Sequence, residues 1–456
     1  ASAGARGRGC FMSSYDSLAA RVKPRRLAER FHAIAAIGAL PGGGCERLAF
    51  SREERAAHAE FRRQAALGRL VSWVDGIGNS FARLEPRGAG RGPQPGCAPI
   101  LTGSHLDTVA QGGCYDGAAG VLCSLEAVLA LEEAQAAGEF ELSRPVEVVA
   151  WANEEGARFA PAMMGSAVYA GVMSLREALA SRDREGSTVA EAVAAGTEPR
   201  DGSGVAGAGE ASVPSGPPEA GLRAPAPAAY LELHIEQGVE LQEAGIPVAI
   251  VEGVQAQVAG DWEIRGRSAH AGATPMHRRA DALVAAAELV GACPQIAGRH
   301  TPGVATVGSL TVEPGSRNSV PGSVGGSVDL RHPEENEVAA MAKEFVAAGE
   351  AAAKRHGCEF DYSELWRTPR VAFDSALLET FSAAAGRAGV AKMRLFSAAG
   401  HDAVHMARLA PAAMLFVPSI GGVSHHPDEE TRMADLVAGA RVLAEALGTL
   451  AAKSAE

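Results

Sequence analysis

Between residues 98 and 155 the chain alternates in a way that few folds allow. "APILTGSH" (98–105) is a short apolar run ending in small residues. "DGAAGVLCSLEAVLALEEAQAAG" (116–138) has helical spacing and a glycine stop. "RPVEVVAW" is a second apolar run, leading into "ANEE". Strand, helix and strand in this order form a βαβ unit, which implies a parallel sheet. "AAYLELHIEQG" (228–238) and "PAAMLFVPS" (411–419) read as further buried strands. In open parallel sheets the ligand site lies beyond the carboxyl ends of the strands.

The 456 residues are too many for one ordinary core. Residues 27–72 read as helix. From about 254 the pattern changes: "WEIRGRSAH" and "VATVGSLTV" alternate, and "GGSVDLRHP" and "CEFDYSELW" are strand-like, separated by helical stretches at 279–295 and 334–356. This predicts a smaller α+β unit, 254–370, inserted into a helix-sandwiched, parallel-sheet-rich α/β domain built from 27–253 and 371–456. Within the first part, 197–228 is Gly, Ala, Pro and Ser with almost no large apolar groups. It reads as a flexible surface insertion that cannot offset its ordering entropy. Residues 1–26 read as poorly structured.

Net charge is 42 − 54 = −12, which argues against nucleic acid as a partner. The seven cysteines are odd in number and form no CxxC pair, as in a reducing cytoplasm or organelle matrix. No stretch approaches roughly eighteen uninterrupted apolar residues, so no membrane span is expected. The start, "ASAGARGRGC", carries Arg without acids. It reads either as the remnant of a targeting peptide or as an incomplete start.

Metal-type donors recur at the strand ends. "GSHLDT" supplies His105 and Asp107, "NEEG" supplies Glu154 and Glu155, and "ELHIEQG" supplies His234. Asp116 opens the helix in "YDGAAG", and "GGVSHHPDEE" supplies His425 and His426. A lone histidine near a strand end is more often structural, and a glutamate pair more often a solvated face. The force lies in their coincidence where βα loops gather. In a His-x-Asp pair the imidazole can bind metal while the carboxylate holds its other nitrogen. An aspartate at a helix start can bridge two cations. Adjacent glutamates can divide the labour, one on metal and one moving protons. Side chains of neighbouring strand residues point opposite ways, so "NEEG" must leave strand geometry for both to converge. Imidazole with carboxylate suits zinc, and also manganese or cobalt.

Together with "NEEGARFAPAMMGS", "SAHAGATPM", "RNSVPG", "DLRHP" and "GHDA", these motifs resemble the hydantoinase/carbamoylase family of dinuclear-metal amidohydrolases, within the aminoacylase/carboxypeptidase superfamily. The resemblance runs from about residue 27 to the C-terminus, apart from 197–228. It implies that Asp116 bridges two divalent ions, zinc or manganese, with cobalt or nickel also suited. One ion would take Glu155 and His425, the other His105 and His234. Asp107 would orient His105, and Glu154 would be the general base. His270 would stabilise the oxyanion. Substrate would be held by Gln237, His270, Asn318, Arg331, His401 and Asp402. The inserted unit resembles the family's lid, through which a homodimer forms, with His270, Asn318 and Arg331 reaching into the partner's site. Arg331 has the bidentate geometry for a substrate carboxylate.

The implied substrate is a small ureido acid. An N-carbamoyl-L-amino acid or N-carbamoyl-β-alanine is expected, with allantoate or ureidoglycolate as the alternative. His234 stands where peptidase relatives usually carry an acid. Two positions depart from the family pattern: His426, where Asn or Ser is common, and Ala398, where Gly is usual. A metal-free dimeric binding scaffold is the reading from a different class. It predicts a damaged donor set, yet every expected donor is present.

Overall fold

The structure is a computed structural model that describes residues 17–87, 97–195 and 226–452. The expectations for residues 1–16 and for nearly all of 197–228 fall outside those residues. In chain order the strands are β1 (Val71–Val74), β2 (Ser80–Leu84), β3 (Ile100–His105), β4 (Val146–Trp151), β5 (Ala229–Ile235), β6 (Val248–Val254), β7 (Ala256–Arg265) and β8 (Ala269–His270). They continue with β9 (Val304–Thr306), β10 (Leu310–Glu313), β11 (Ser319–Val320), β12 (Ser323–His332), β13 (Glu359–Thr368), β14 (Val371–Ala372), β15 (Lys392–Ser397) and β16 (Ala412–Val417).

Two compact units result. The larger takes the chain up to Val251, then Phe373–Leu395, then the chain from His401. Its sheet runs β1-β2-β4-β3-β5-β16-β6. The middle four strands, β4, β3, β5 and β16, are parallel to their neighbours within that group. The β1-β2, β2-β4 and β16-β6 pairings are antiparallel. Every residue of those four parallel strands is buried, which is why each reads as a mostly apolar run. The helix Ala118–Ala136 crosses from β3 to β4 and packs against both, against β5, and against the C-terminal helix Met433–Ala451. It is buried around most of its circumference, from Ala118 through Leu131. Each fully buried Leu or Val there contributes roughly 1.5–3 kcal/mol.

The stretch 27–72 is not one helix. Helices span Pro24–Ala35 and Arg52–Leu67, and a turn-rich segment lies between them. There Ala39 bridges Cys45, with Gly43 and Gly44 at positive φ. Gly68 ends the second helix and Arg69 takes φ 63. "VSWV" then pairs with β2 as an edge strand. Its β-branched and aromatic residues imitated a helix face because they continue an amphipathic run.

The smaller unit takes Glu252–Ala372 and, unanticipated, Phe396–Gly400. Its antiparallel sheet runs β10-β12-β7-β13, with β9 also on β12. Helices Ala282–Arg299 and Glu335–Arg355 pack on each other and on β7 and β12. Val258, Trp262, Ile264, Leu289, Val328, Met341 and Phe345 lie in the core between them.

Candidate metal centre

The parallel strands bring their carboxyl ends to one edge of the larger unit's sheet. His105 is the last residue of β3 and is in register with Trp151, the last of β4. His234 on β5 is in register with Phe416 on β16. Asp116 immediately precedes the helix Ala118–Ala136, separated from it by Gly117 at φ 61. A Cβ at Gly117 would lie 2.4 Å from the His105 ring, so only glycine lets that helix start so close to the histidine.

Asp116 is common to two groups of donors. The donor atoms of His105, Asp116 and His234 lie within 4.8 Å of one another, as do those of Asp116, Glu155 and His425. Asp116 Oδ1 is 3.0 Å from His234 Nε2 and 3.6 Å from His105 Nε2. His425 Nε2 is 3.3 Å from Asp116 Oδ2 and 3.3 Å from Glu155 Oε2. The neighbouring His426 joins neither group, and its Nδ1 accepts from Asp428 N at 3.2 Å. Glu154 stands beside the first group, Oε2 at 3.5 Å from His105 Nε2.

Hydrogen bonding on the far side of the rings makes this arrangement fit a cation. His105 Nδ1 donates to the Asp107 carbonyl at 3.1 Å, and His234 Nδ1 to the Ile235 carbonyl at 2.9 Å. Each ring then presents its Nε2 lone pair to carboxylate oxygens that also carry lone pairs. Such a convergence of acceptors needs a cation or protons between them. With protons in that place, burial works against the charge of Asp116, but His234 and His105 outweigh it and hold its carboxyl well below the usual range. Burial pushes Glu154 well above its ordinary value, and the charges of Asp402 and Glu155 add to the effect. Burial, then Asp116, pushes Glu155 up to about 7.

The bend at "NEEG" has a definite cause. Strand β4 stops at Trp151, where the apolar run ends, and Asn153 takes φ 52. Asn153 Nδ2 holds that turn by donating to the carbonyls of Phe159 at 2.8 Å and Pro161 at 3.1 Å. The Asp107 carboxylate then accepts the backbone N–H groups of Glu154 and Glu155, each at 3.2 Å. Asp107 therefore meets His105 Nδ1 through its carbonyl, its carboxylate lying farther off at 3.6 Å. The carboxylate's hydrogen bonds go to the two glutamates' backbone instead.

Gln237 Nε2 donates to Asp116 Oδ2 at 2.8 Å, and the His401 ring lies 4.4 Å from that of His234. Asp402 is fully buried, and burial together with Glu232 pushes its carboxyl well up. On the smaller unit, β8 and β11 bring His270 and Asn318 together, with Ala271 N donating to the Asn318 carbonyl at 2.8 Å. Arg331 lies toward the other end of β12, eight residues beyond Ser323 and so roughly 26 Å along the strand. Its Nε donates to Asp329 at 2.8 Å and its Nη1 to the Ala398 carbonyl. Within the smaller unit these three residues therefore fall into two places.

Glu429 and Ser424 were not singled out in the sequence. Glu429 Oε1 accepts from Tyr115 N at 2.8 Å and Asp116 N at 2.9 Å, and its Oε2 accepts from Ser424 Oγ at 3.1 Å. Ser424 Oγ also lies 3.1 Å from Asp116 Oδ2. An acid in "HHPDEE" looks solvated, and only its spacing from His425 hinted otherwise.

Two donor triads sharing one carboxylate, at the carboxyl edge of parallel strands, are the architecture of a metallohydrolase. The family model for peptidase family M20/M25/M40 matches residues 101–449, and the chain belongs to that family. The chain is 36% identical to an N-carbamoyl-L-amino acid amidohydrolase of Geobacillus stearothermophilus, over 94% of this chain and 99% of that one. It is 33% identical to an allantoate amidohydrolase of Bacillus subtilis, over 92% and 95%. A solved hydantoinase/carbamoylase family amidase from Burkholderia multivorans superposes with a TM-score of 0.84 at 35% identity, covering 95% of this chain and 99% of that one. Like these relatives, the chain is an amidohydrolase. Among the described residues, no helix is long and apolar enough to cross a membrane.

Proposed function

We propose that this chain hydrolyses the carbamoyl C–N bond of N-carbamoyl-L-amino acids or close ureido acids, releasing amino acid, carbon dioxide and ammonia. The observation that carries the reading is Asp116 shared between two donor triads, in a chain 34–36% identical to three N-carbamoyl-L-amino acid amidohydrolases. His105, Asp116 and His234 would hold one divalent cation and Asp116, Glu155 and His425 the other, with zinc or manganese suiting the donors. When bound, such ions polarise a carbonyl and lower the pKa of water.

The chain's own residues do the rest. Glu154 stands beside the first triad without belonging to it. It takes the proton of the attacking water and returns it to the leaving nitrogen. Asp107 keeps Glu154 and Glu155 on a fixed bend. Gln237, His401 and Asp402 line the site, and Arg331 receives the substrate carboxylate. His270, Asn318 and Arg331 come from the partner of a homodimer formed through the smaller unit. The outer strand β13 of that unit supports this, since it presents Leu365 and Trp366, each 53% exposed, on an edge open to pairing.

The test is an ammonia-release panel of N-carbamoyl-L-amino acids, N-carbamoyl-β-alanine, allantoate and ureidoglycolate, each with zinc and with manganese. Turnover of allantoate alone would move the chain to the activity of its Bacillus subtilis relative. No release from any member, with far fewer than two ions bound per chain, would leave a binding scaffold.

A further inference from the structure

The turn after β8 grips the ring of His270 by one nitrogen. His270 Nδ1 accepts two backbone N–H groups, from Gly272 and from Ala273, each at 3.1 Å. Thr274 N donates to the His270 carbonyl at 3.0 Å and closes the turn. The residue is exposed, and its Nε2 has no hydrogen-bond partner among the described residues. Arg279 holds the same turn from its other side. Its Nε donates to the Thr274 carbonyl at 3.0 Å and its Nη2 to the Ala271 carbonyl. Arg279 is half-buried, and no carboxylate pairs with it among the described residues. The Ala271 carbonyl and the Gly272 N–H belong to one trans peptide group, so they point opposite ways. One peptide thus joins the guanidinium to the imidazole.

We propose that Arg279 is a positioning residue that acts through the Ala271–Gly272 peptide to hold His270 as an Nε2–H hydrogen-bond donor. A neutral imidazole carries its proton on one nitrogen or the other. A proton on Nδ1 would face the Gly272 and Ala273 N–H groups, setting donors against donors. With Nδ1 accepting, the proton sits on Nε2. The chain of hydrogen bonds starts from a full positive charge, and each donation polarises the next group. Nε2–H at its end is therefore a stronger donor than in a free imidazole. Arginine suits the task because Nε and Nη2 present parallel N–H groups to two carbonyls, whereas lysine offers a point charge.

For the reaction proposed above, this decides what His270 can do. Its Nε2–H can donate to the oxygen that gains charge when the ureido carbonyl is attacked. A protonated Nε2 has no lone pair with which to take a proton, which leaves the proton transfers to Glu154. The turn is also anchored beside Asn318, whose carbonyl accepts from Ala271 N at 2.8 Å. The tautomer stands on the geometry of the turn alone, while its use in turnover rests on the function proposed above.

The experiment labels the histidines of the full chain with nitrogen-15 and reads their rings by proton–nitrogen correlation at about pH 8, where an ordinary imidazole is neutral. His270→Gln assigns the signal. The expected pattern has Nε2 protonated and Nδ1 bare. A protonated Nδ1, or a ring sampling both tautomers, would overturn the proposal without any substrate being needed. In Arg279→Met the turn loosens and the ring should sample both tautomers. Its kcat for ammonia release should fall about 10-fold or more at full metal content, with KM little changed, toward the ceiling of about 10²–10³ for loss of a whole oxyanion donor. Arg279→Lys should fall between Arg279→Met and the parent. Arg278 is exposed and its side chain has no partner among the described residues, so Arg278→Ala removes an equal charge next door and should move neither reading. An unchanged tautomer or undiminished kcat in Arg279→Met would overturn the role of Arg279. A parent that releases ammonia from no ureido acid would sink the function proposed above, and the tautomer would still decide the assignment of Arg279.

Discussion

Replacing Glu429 separates loop geometry from donor chemistry, because Glu429 belongs to neither donor triad. Its carboxylate is 5% exposed and takes two backbone N–H groups and one hydroxyl. In Glu429→Ala, the buried Asp116 N–H loses its acceptor at a cost of about 1–3 kcal/mol. The Tyr115 N–H is only part-buried and regains water, so the fold should lose about 1–3 kcal/mol in all. The greater effect should fall on metal. Asp116 serves both triads, and groups that orient ligands typically govern about 10–100-fold in affinity. Glu429→Gln keeps an acceptor oxygen for the two N–H groups, so it should retain most of that affinity. The assay is chelator competition with zinc on both variants and the parent, beside guanidinium unfolding of each. A folded Glu429→Ala that binds two ions as tightly as the parent would refute the reasoning. Glu429→Gln as weak as Glu429→Ala would show that charge matters rather than loop geometry.

Glu154→Gln should keep both ions and lose about 10²–10⁴ in kcat, because it removes the proton carrier but no donor of either triad; single-turnover kinetics on metal-replete enzyme checks this. His425→Ala should bind one ion fewer while His426→Ala binds the full complement, as elemental analysis after gel filtration would read, since only His425 joins a triad. Metal-stripped protein should lose stability as pH rises from about 5 to 8. Glu155 titrates at about 7 in the fold, above its ordinary 4.5, so folding favours its protonated form. That contribution is complete below the unfolded value and is lost as pH rises through 7. Thermal unfolding in chelator across that range should show the decline, and added zinc should remove it.

The parallel core was legible because β4, β3, β5 and β16 are buried on both faces and read as mostly apolar runs. The antiparallel flank was not. In β1, "VSWV" has an exposed and half-buried pattern that continues the preceding helix's periodicity, and it pairs with β2 as a hairpin across residues 75–79. The transfer of Phe396–Gly400 to the smaller unit is set by tertiary contact. At the site, donor types at strand ends showed which residues could bind metal, but not which oxygen of Asp116 would face which histidine. Asp107 and Glu429 show a further limit. Their carboxylates act on backbone N–H groups of other segments, and a backbone acceptor leaves no trace in residue identity.

Two acids side by side after a buried strand would repel each other on a regular strand end or be driven neutral by burial. Here the backbone turns at Asn153, and Asp107 grips both amides, so the pair diverges into different surroundings. Glu155 enters the triad with His425, where a cation can neutralise it. Glu154 stays outside both triads, buried near the charges of Asp402 and Asp107, which raise its affinity for a proton. On the function proposed above, one local fold thus produces a metal donor and a proton carrier from identical neighbours. The difference is made by where the bend points each side chain. Asp107→Asn should therefore disturb both roles together: its amide can accept at one oxygen only, leaving one of the two glutamate N–H groups without its partner. Loss of turnover with metal binding fully intact would show instead that Asp107 acts on Glu154 alone.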